Sequence, residues 1–331
     1  MPQRRVTLQD VADAAELSKA ATSYAMRGIK SAPQTQRRVQ QIAREMGYHA
    51  NRAARVLAEG RTGVVAISAS MRDMWQQGLV VLLAEALREH EYSVRIADID
   101  ADPRREHGFL ATVAQEIDGL LTLPADPTGA YWAHLPDEVS VVCIGDTLTA
   151  RPTAASVRFD NASGVRTAVA HLAGLGHRAI TVLTPTLLST PGRAIEDDAL
   201  EAGRRTGTAI TLQPVAPSSH GAAETVRSLL RRRDRPTALM CLSDSIAFGV
   251  YRAARELGLD VPADLSVLGY DDNELAELVD PPLSTFGWDE DAIVAAAIDA
   301  LLTCLGGQPP PKSVFVPEFI SRRSSAAPAA L

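Results

Sequence analysis

The residues of this chain that could act on a partner are cations and aromatic faces, and no set of them makes a catalyst. Its 331 residues contain no Gly-x-Ser-x-Gly, no His-Glu-x-x-His and no phosphate loop ending in Gly-Lys-Ser/Thr. Asp98, Asp100 and Asp102 imitate the opening of a calcium loop. Pro103 then stands where the turn glycine belongs, and Phe109 where the bidentate glutamate should be. The seven histidines lack ligand spacing, and no nucleophile–base pair stands out. Neither an enzyme nor a metal or cofactor site is expected. The cations, in contrast, gather at the front. Residues 1–62 hold eleven Lys/Arg against five acids, a net of +6, so that the remainder carries −13 of the total −7. A basic head on an acidic body suits attraction to phosphates. Trp75, just after the first expected strand, and Trp288 could each stack on a sugar or base face, although such aromatics are more often core.

The elements that must position the cations are short helices. Thr7 and Asp10 have capping-box spacing, after which Leu8, Val11, Ala12 and Ala15 fall on one helical face. A break at Glu16-Leu17 follows, and Ser18 starts a second helix through Met26, too brief to be stable by itself. A third helix is read as capped at Thr35, burying Val39, Ile42, Ala43 and Met46 and stopping at Gly47. Helix, tight turn and helix within about twenty residues is the helix-turn-helix shape, whose second helix enters the major groove. Charge alone would also allow a plain bundle with a solvated basic face; the short helix after a tight turn argues against that.

From Gly63 the pattern changes to alternating strands and helices. GVVAIS (63–68), SVRIADI (93–99), GLLTL (119–123), VSVVCIGD (139–146), AITVL (179–183), AITLQPV (209–215), TALMCL (237–242), LSVLGY (265–270) and SVFVP (313–317) read as strands. Helices are expected near 77–90, 104–116, 160–175, 192–206, 222–232, 243–257 and 290–305. Near-continuous apolar strands alternating with helices argue a parallel sheet wrapped on both faces. Two such halves suggest two lobes, with ligand binding beyond the carboxyl ends of the strands. The composition, 46% hydrophobic and 22% charged, is that of an ordinary globular protein. Cys143, Cys241 and Cys304, an odd number in or beside apolar runs, read as reduced buried thiols. The N-terminus has no apolar signal region and no run could span a bilayer, so a soluble cytoplasmic protein without a membrane partner is expected.

Three stretches of the head, TLQDVADAA-x-LSKAATSYAM, T-x-x-RV and GY-x-x-NRAAR-x-L, resemble the lactose-repressor (LacI/GalR-type) family of bacterial transcription regulators. LMCLSDSIAFGVYRAARELGLDVPADLSVLGYDDNELAELVDPPLST resembles the effector core of the same family, and a looser likeness runs through most of the chain. The resemblance implies an α/β fold class: an all-α helix-turn-helix head (1–49), a hinge helix and linker (50–62), and a two-lobed parallel body (63–331) like periplasmic sugar-binding proteins. It implies that Lys19, Ala20 and Ala21 reach base edges, with Ser23 and Tyr24 nearer the backbone, and with Thr7, Leu8, Ser18, Arg27, Lys30 and Thr35 completing the DNA face. Ala20 and Ala21 offer methyls suited to thymine, which leaves Lys19 as the reader of a guanine. Asn51 to Ala58 match the hinge helix, in which Asn51 and Arg52 face DNA, Leu57 wedges into the minor groove and Ala54 packs beside it. Such a wedge costs a few kcal/mol of unstacking, offset by contacts to bent DNA. Eight residues cannot hold a helix alone, so the hinge is expected to order on DNA.

In the body, the matching positions are Ser243, Asp244, Asp271 and Arg193, implied to contact an effector together with Trp75 and Trp288. Asp244 could equally be a helix N-cap. The sequence departs from the family where Glu16 replaces a turn glycine, Ala21-Thr22 a Thr-Val pair, Arg27 an Asn, Ala50 a Pro, and Glu196 a Gly near Arg193. Glu16 should carry strain if the turn is left-handed. The expected function is a DNA-binding regulator, a repressor, holding a pseudo-palindromic duplex operator as a homodimer and switched by a small molecule, a carbohydrate or its derivative. Whether that ligand induces or corepresses stays open. A solute-binding receptor with no direct DNA role is the alternative. The chain ends too soon after the last strand for a heptad extension, so a dimer and not a coiled-coil tetramer is expected.

Overall fold

The computed structural model describes residues 6–26, 30–48, 61–185 and 195–329. It forms two compact units, 1–63 and 64–331.

In the first unit, α1 (Leu8–Ala15), α2 (Lys19–Met26) and α3 (Pro33–Glu45) enclose a small core of Val11, Ala15, Ala25, Val39 and Ala43. Leu17, Ile42, Met46 and Tyr48 pack partly against it. The reading of Thr35 as the cap of α3 is corrected. The helix starts two residues earlier at Pro33, with Ala32 as N-cap and no side-chain bond. Proline at the first position lacks the N–H that a cap would satisfy, and its fixed φ already suits the first turn.

The second unit holds two parallel sheets. The first is ordered β11-β5-β4-β3-β1-β2, from β1 (Val64–Ala69), β2 (Ser93–Asp98), β3 (Gly119–Thr122), β4 (Ser140–Gly145), β5 (Ala155–Phe159) and β11 (Lys312–Phe315). On one face α4 (Met74–Glu89) and α10 (Glu290–Leu305) bury Leu79, Leu83, Leu87, Ile293, Ala297 and Leu301 against it. On the other, α5 (Pro103–Val113) and the turn carrying Trp132 cover Ala66, Leu120, Val141 and Cys143. Each fully buried Leu or Ile contributes about 1.5–3 kcal/mol.

The second sheet is ordered β7-β6-β8-β9, from β6 (Ala179–Pro185), β7 (Ala209–Val215), β8 (Ala238–Cys241) and β9 (Ser266–Leu268). α6 (Asn161–Gly174) and α7 (Ile195–Thr206) cover one face, and α8 (Ser219–Leu230) and α9 (Asp244–Leu257) the other. β10 (Thr285–Gly287) and β12 (Glu318–Ile320) form a small antiparallel ribbon.

The division into two successive halves needs one amendment: the lobes exchange chain. The path passes from β5 to α6, returns after β10 into α10, and crosses again between β11 and β12. β11 completes the first sheet by pairing with β5, and the Asp160 N–H bonds the Phe315 carbonyl at 2.7 Å where two crossings run side by side. β5 and the ribbon are elements the apolar-run reading passed over.

Candidate functional site

In the head, α1 opens with the expected capping box. The Thr7 hydroxyl accepts the Asp10 N–H at 3.3 Å, and the Asp10 carboxylate accepts the Thr7 N–H at 2.7 Å. The helix ends at Glu16 in a left-handed conformation, φ 54° and ψ 39°. This is the strained turn anticipated for a residue standing where a glycine is usual. The Ser18 hydroxyl accepts the Ala21 N–H at 3.1 Å and so orients the first turn of α2. Thr22 and Ala25 turn inward, while Lys19, Ala20 and Tyr24 are exposed and Ala21 and Ser23 half-buried. The Lys30 ammonium lies 5.7 Å from the centre of the Tyr24 ring, a cation–π contact that ties those two DNA-face candidates together. Sequence reading missed Arg38, which reaches back from α3 to the Ala15 carbonyl at 3.3 Å and holds the end of α1. Arg27, Asn51, Arg52, Ala54 and Leu57 lie outside the described residues.

The second site is a cleft within the body, enclosing about 930 Å³ of space that is partly open to solvent. It lies at the carboxyl ends of β6, β8 and β9, where Pro185 ends its strand and Ser243 and Asp271 follow theirs. One wall is aromatic: Trp75, Phe159, Tyr270 and Trp288. Trp288 sits 4.7 Å from Phe159, 6.0 Å from Tyr270 and 6.4 Å from Trp75, centroid to centroid. Trp75 and Trp288 are therefore both wall and core, since they also pack into the hydrophobic clusters behind. The buried Trp75 indole N–H has no hydrogen bond of ordinary geometry, although it helps hold the nearby Glu290 carboxyl, which burial pushes up, towards its charged form.

Two carboxyls line the cleft, Asp73 and Asp271. Asp73 caps α4, accepting the Gln76 N–H at 3.0 Å, and burial pushes its pKa above the ordinary value. Asp271 sits at φ 107°, pinned by its N–H to the Phe286 carbonyl at 2.7 Å. Its carboxyl has no hydrogen-bond partner among the described residues. Although it opens on the cleft, burial first, then the charges of Asp73, Asp244 and Glu290, raise it well above the usual carboxylate range. Gly269, two residues before, is required by close approach: a Cβ there would run into the Asp244 carboxylate and the Leu283 side chain.

Asp244 is placed differently from either reading. Ser243 is the N-cap of α9, accepting the Ile246 N–H at 3.3 Å, and Ser243 lines the cleft. Asp244 is buried behind, accepting the Thr285 hydroxyl and the Asn273 N–H, each at 2.7 Å. Burial pushes it up to about 7. It clamps the turn after Asp271 and does not line the cleft. Arg193 lies outside the described residues. Asn161, whose side-chain oxygen accepts the Tyr270 hydroxyl at 3.1 Å, Ser70, Gln76 and Ser245 add to the polar lining. Asp73, Phe159, Asn161 and Tyr270 were missed in the sequence. Asp73-x-x-Gln76 after a strand is a readable N-cap signature, whereas nothing local marks Phe159 or Tyr270.

The arrangement offers flat apolar faces beside the Asp271 carboxyl, which fits a hydroxyl-rich ring. Among the described residues the one lining cation, Arg72, already pairs with Asp100 at 2.7 Å. No nucleophile–base pair faces this space among the described residues.

Comparison with known proteins agrees with this build. Residues 169–325 match the family described as "Periplasmic binding protein-like domain". The HTH-type transcriptional regulator MalR of Streptomyces coelicolor is 30% identical over 335 residues, covering 96% of each chain. The ribose operon repressor of Haemophilus influenzae is 27% identical over 311 residues, 89% of this chain and 91% of that one. In fold, the lac repressor dimer, solved bound to operator and an anti-inducer, superposes with a TM-score of 0.85 at 24% identity, over 98% of this chain and 100% of that one. With a relative matched end to end and both the helical head and the cleft in place, this chain belongs to the LacI family of DNA-binding transcription regulators.

Proposed function

We propose that this regulator is a repressor that grips a pseudo-palindromic operator as a homodimer and is switched by a sugar or sugar derivative in the cleft. On this reading residues 1–49 are the DNA head, 50–62 the hinge and linker, and 63–331 the sensing and dimerising body, working in the bacterial cytoplasm. Among the described residues no helix is long and apolar enough to cross a membrane. Lys19, Ala20 and Ala21 meet base edges from the exposed start of α2, Ser18, Ser23, Tyr24 and Lys30 meet the backbone, and Leu57 wedges the centre of the site.

The observation that carries the sugar reading is the Asp271 carboxyl, half-buried where it opens on the cleft, without a hydrogen-bond partner among the described residues and beside an aromatic wall. A sugar hydroxyl supplies the missing hydrogen bond, while its C–H face lies on Trp288 or Trp75. Ligand and operator must then be coupled reciprocally: a ligand that weakens DNA binding is weakened by DNA in equal measure. The test is tryptophan fluorescence of the full chain titrated with neutral mono- and disaccharides, followed by gel shift on genomic fragments with and without the best binder. A saturable sugar that changes operator affinity supports the proposal. Binding of acidic or phosphorylated ligands alone would overturn it.

A further inference from the structure

The second lobe has a second charged surface, at the opposite end of its sheet from the cleft. There the lead-ins to the strands lie side by side, because β6 pairs in parallel with β7 and β8, Ala179 facing Ala209 and Thr181 facing Leu239. Neighbouring strands run about 4.8 Å apart, so residues just before them form one surface. Arg178 immediately precedes β6; Arg204 and Arg205 end α7 and lead into β7; Arg231, Arg232, Arg233 and Arg235 follow α8 and lead into β8; Arg255 is in the last turn of α9. The backbone confirms the adjacency: the Ala209 N–H bonds the Arg178 carbonyl at 2.9 Å.

Three of these guanidiniums are paired: Arg204 with Glu201, Arg232 with Asp234, and Arg235 with Asp264. The side chains of Arg178, Arg205, Arg231, Arg233 and Arg255 are exposed and have no hydrogen-bond or ion-pair partner among the described residues. A cation in the last turn of a helix eases the helix dipole, which accounts for Arg205 and Arg255. Arg178 and Arg233 are in no helix. On a body of net charge −13, such a concentration of exposed, unpaired arginine opposes the general charge even beside Asp234, Glu256, Asp260 and Asp264, and is free to meet an anionic partner.

Arginine's planar fork suits phosphate oxygens. Segments 204–208, 231–236 and 255–264 contain no aromatic residue, so there is no platform for stacking unpaired bases. The fitting partner is the phosphate backbone of a duplex. We propose that this arginine surface is a second, sequence-independent DNA contact, separate from the helical head, that lets a bound regulator hold a further DNA segment. The inference goes beyond the operator reading and uses it only to say where the first duplex is held.

The test tethers a mixed-sequence duplex to beads, saturates it with full chain, and measures capture of a second, fluorescent duplex over a salt series. The variant Arg205→Gln/Arg231→Gln/Arg233→Gln should hold the tethered duplex as the parent does and capture the second roughly tenfold or more weakly. Its slope of log affinity against log salt should fall by about 2.7, at about 0.9 for each phosphate no longer neutralised. Should its melting temperature drop, Arg233→Gln alone, in a turn outside any helix, takes its place with a fall of about 0.9. Capture unchanged in the variant, or absent in the parent, overturns the inference. Polyglutamate retained as well as the second duplex also overturns it, in favour of an acidic protein. Failure of the tethered duplex to bind in Lys19→Ala, with second-duplex capture intact in solution, concerns the head reading alone.

Discussion

Each lobe of the body holds a carboxyl near the ends of its strands, one buried and one half-buried, and the two are treated in opposite ways. Glu106 in the first lobe is fully buried and saturated: it accepts the Tyr131 hydroxyl at 2.6 Å, the Ala125 N–H at 3.1 Å and the Thr122 hydroxyl at 3.4 Å, and Thr122 is held in turn by Ser68. Asp271 in the second lobe has no such company, sits at a left-handed φ and opens on the cleft. A saturated acid belongs to the scaffold; an unsaturated one held in strain is poised for something outside the fold. The contrast explains why burial alone is a poor guide to function here, since burial shifts both groups upward.

The comparison breaks most visibly if Glu106 is dispensable. Glu106→Ala leaves the Ala125 N–H unpaired in the interior and the Tyr131 hydroxyl with the Asp126 carbonyl at 3.3 Å, and should cost about 3 kcal/mol of stability, read by urea unfolding. A cost below about 1 kcal/mol would mean that the network is decorative. Asp271→Asn should do the reverse. It exchanges the carboxyl for an amide, weakening a ligand hydrogen bond by about 0.5–1.5 kcal/mol, so ligand affinity falls roughly two- to tenfold by calorimetry while the melting temperature holds or rises.

The pH dependence sharpens the same distinction. Burial raises Glu106 from 4.5 to about 7. The folded state therefore keeps a proton that the unfolded chain releases, so the stability this group contributes is complete below pH 4.5 and is lost as pH rises to about 7. At about 1.4 kcal/mol per unit the fall approaches roughly 3 kcal/mol. Glu106→Gln should flatten the melting-temperature profile between pH 5 and 7, and an unchanged profile would refute the assignment. Asp244 at about 7 contributes a fall in the same direction, which the Glu106 variant leaves in place.

The smallest effect concerns strain without a ligand. Glu16, like Asp271, has a positive φ, but no cleft surrounds it. Glu16→Gly should stabilise the head by about 1 kcal/mol, seen as a rise in the first unfolding transition. No gain would imply that the turn is held open for DNA.

Much of the body was legible because its central strands are unbroken apolar runs: β1, β3 and β8 are buried at every position, as the continuous pattern demands. β5 escaped because Arg158 interrupts ASVRF with an exposed charge. β10 and β12, three residues each, are too short to carry a period. The exchange of chain between lobes is set by long-range pairing, β11 to β5 across some 150 residues, and leaves no local trace. For the site, the signature around Ser243 and Asp271 located the right strand ends but could not tell a lining carboxyl from a buried one. That depends on Thr285 and Asn273, brought to Asp244 by the fold. The short helix α2 was readable from its start after the turn and its surface only through the family resemblance, whereas the cap of α3 was misplaced because a proline at the first turn makes a side-chain cap unnecessary.

Because β11 closes the sheet of one lobe from a position beyond nearly all of the other, neither lobe is a separable inheritance. A gene cut between them would yield a first fragment without its edge strand, the backbone of β5 left bare to pair with whatever strand it meets, and a second that carries α10 and β11 without the sheet they complete. The sensing body must therefore be gained, lost or shuffled whole. That constraint leaves the head as the part that can be exchanged when a new regulator is assembled.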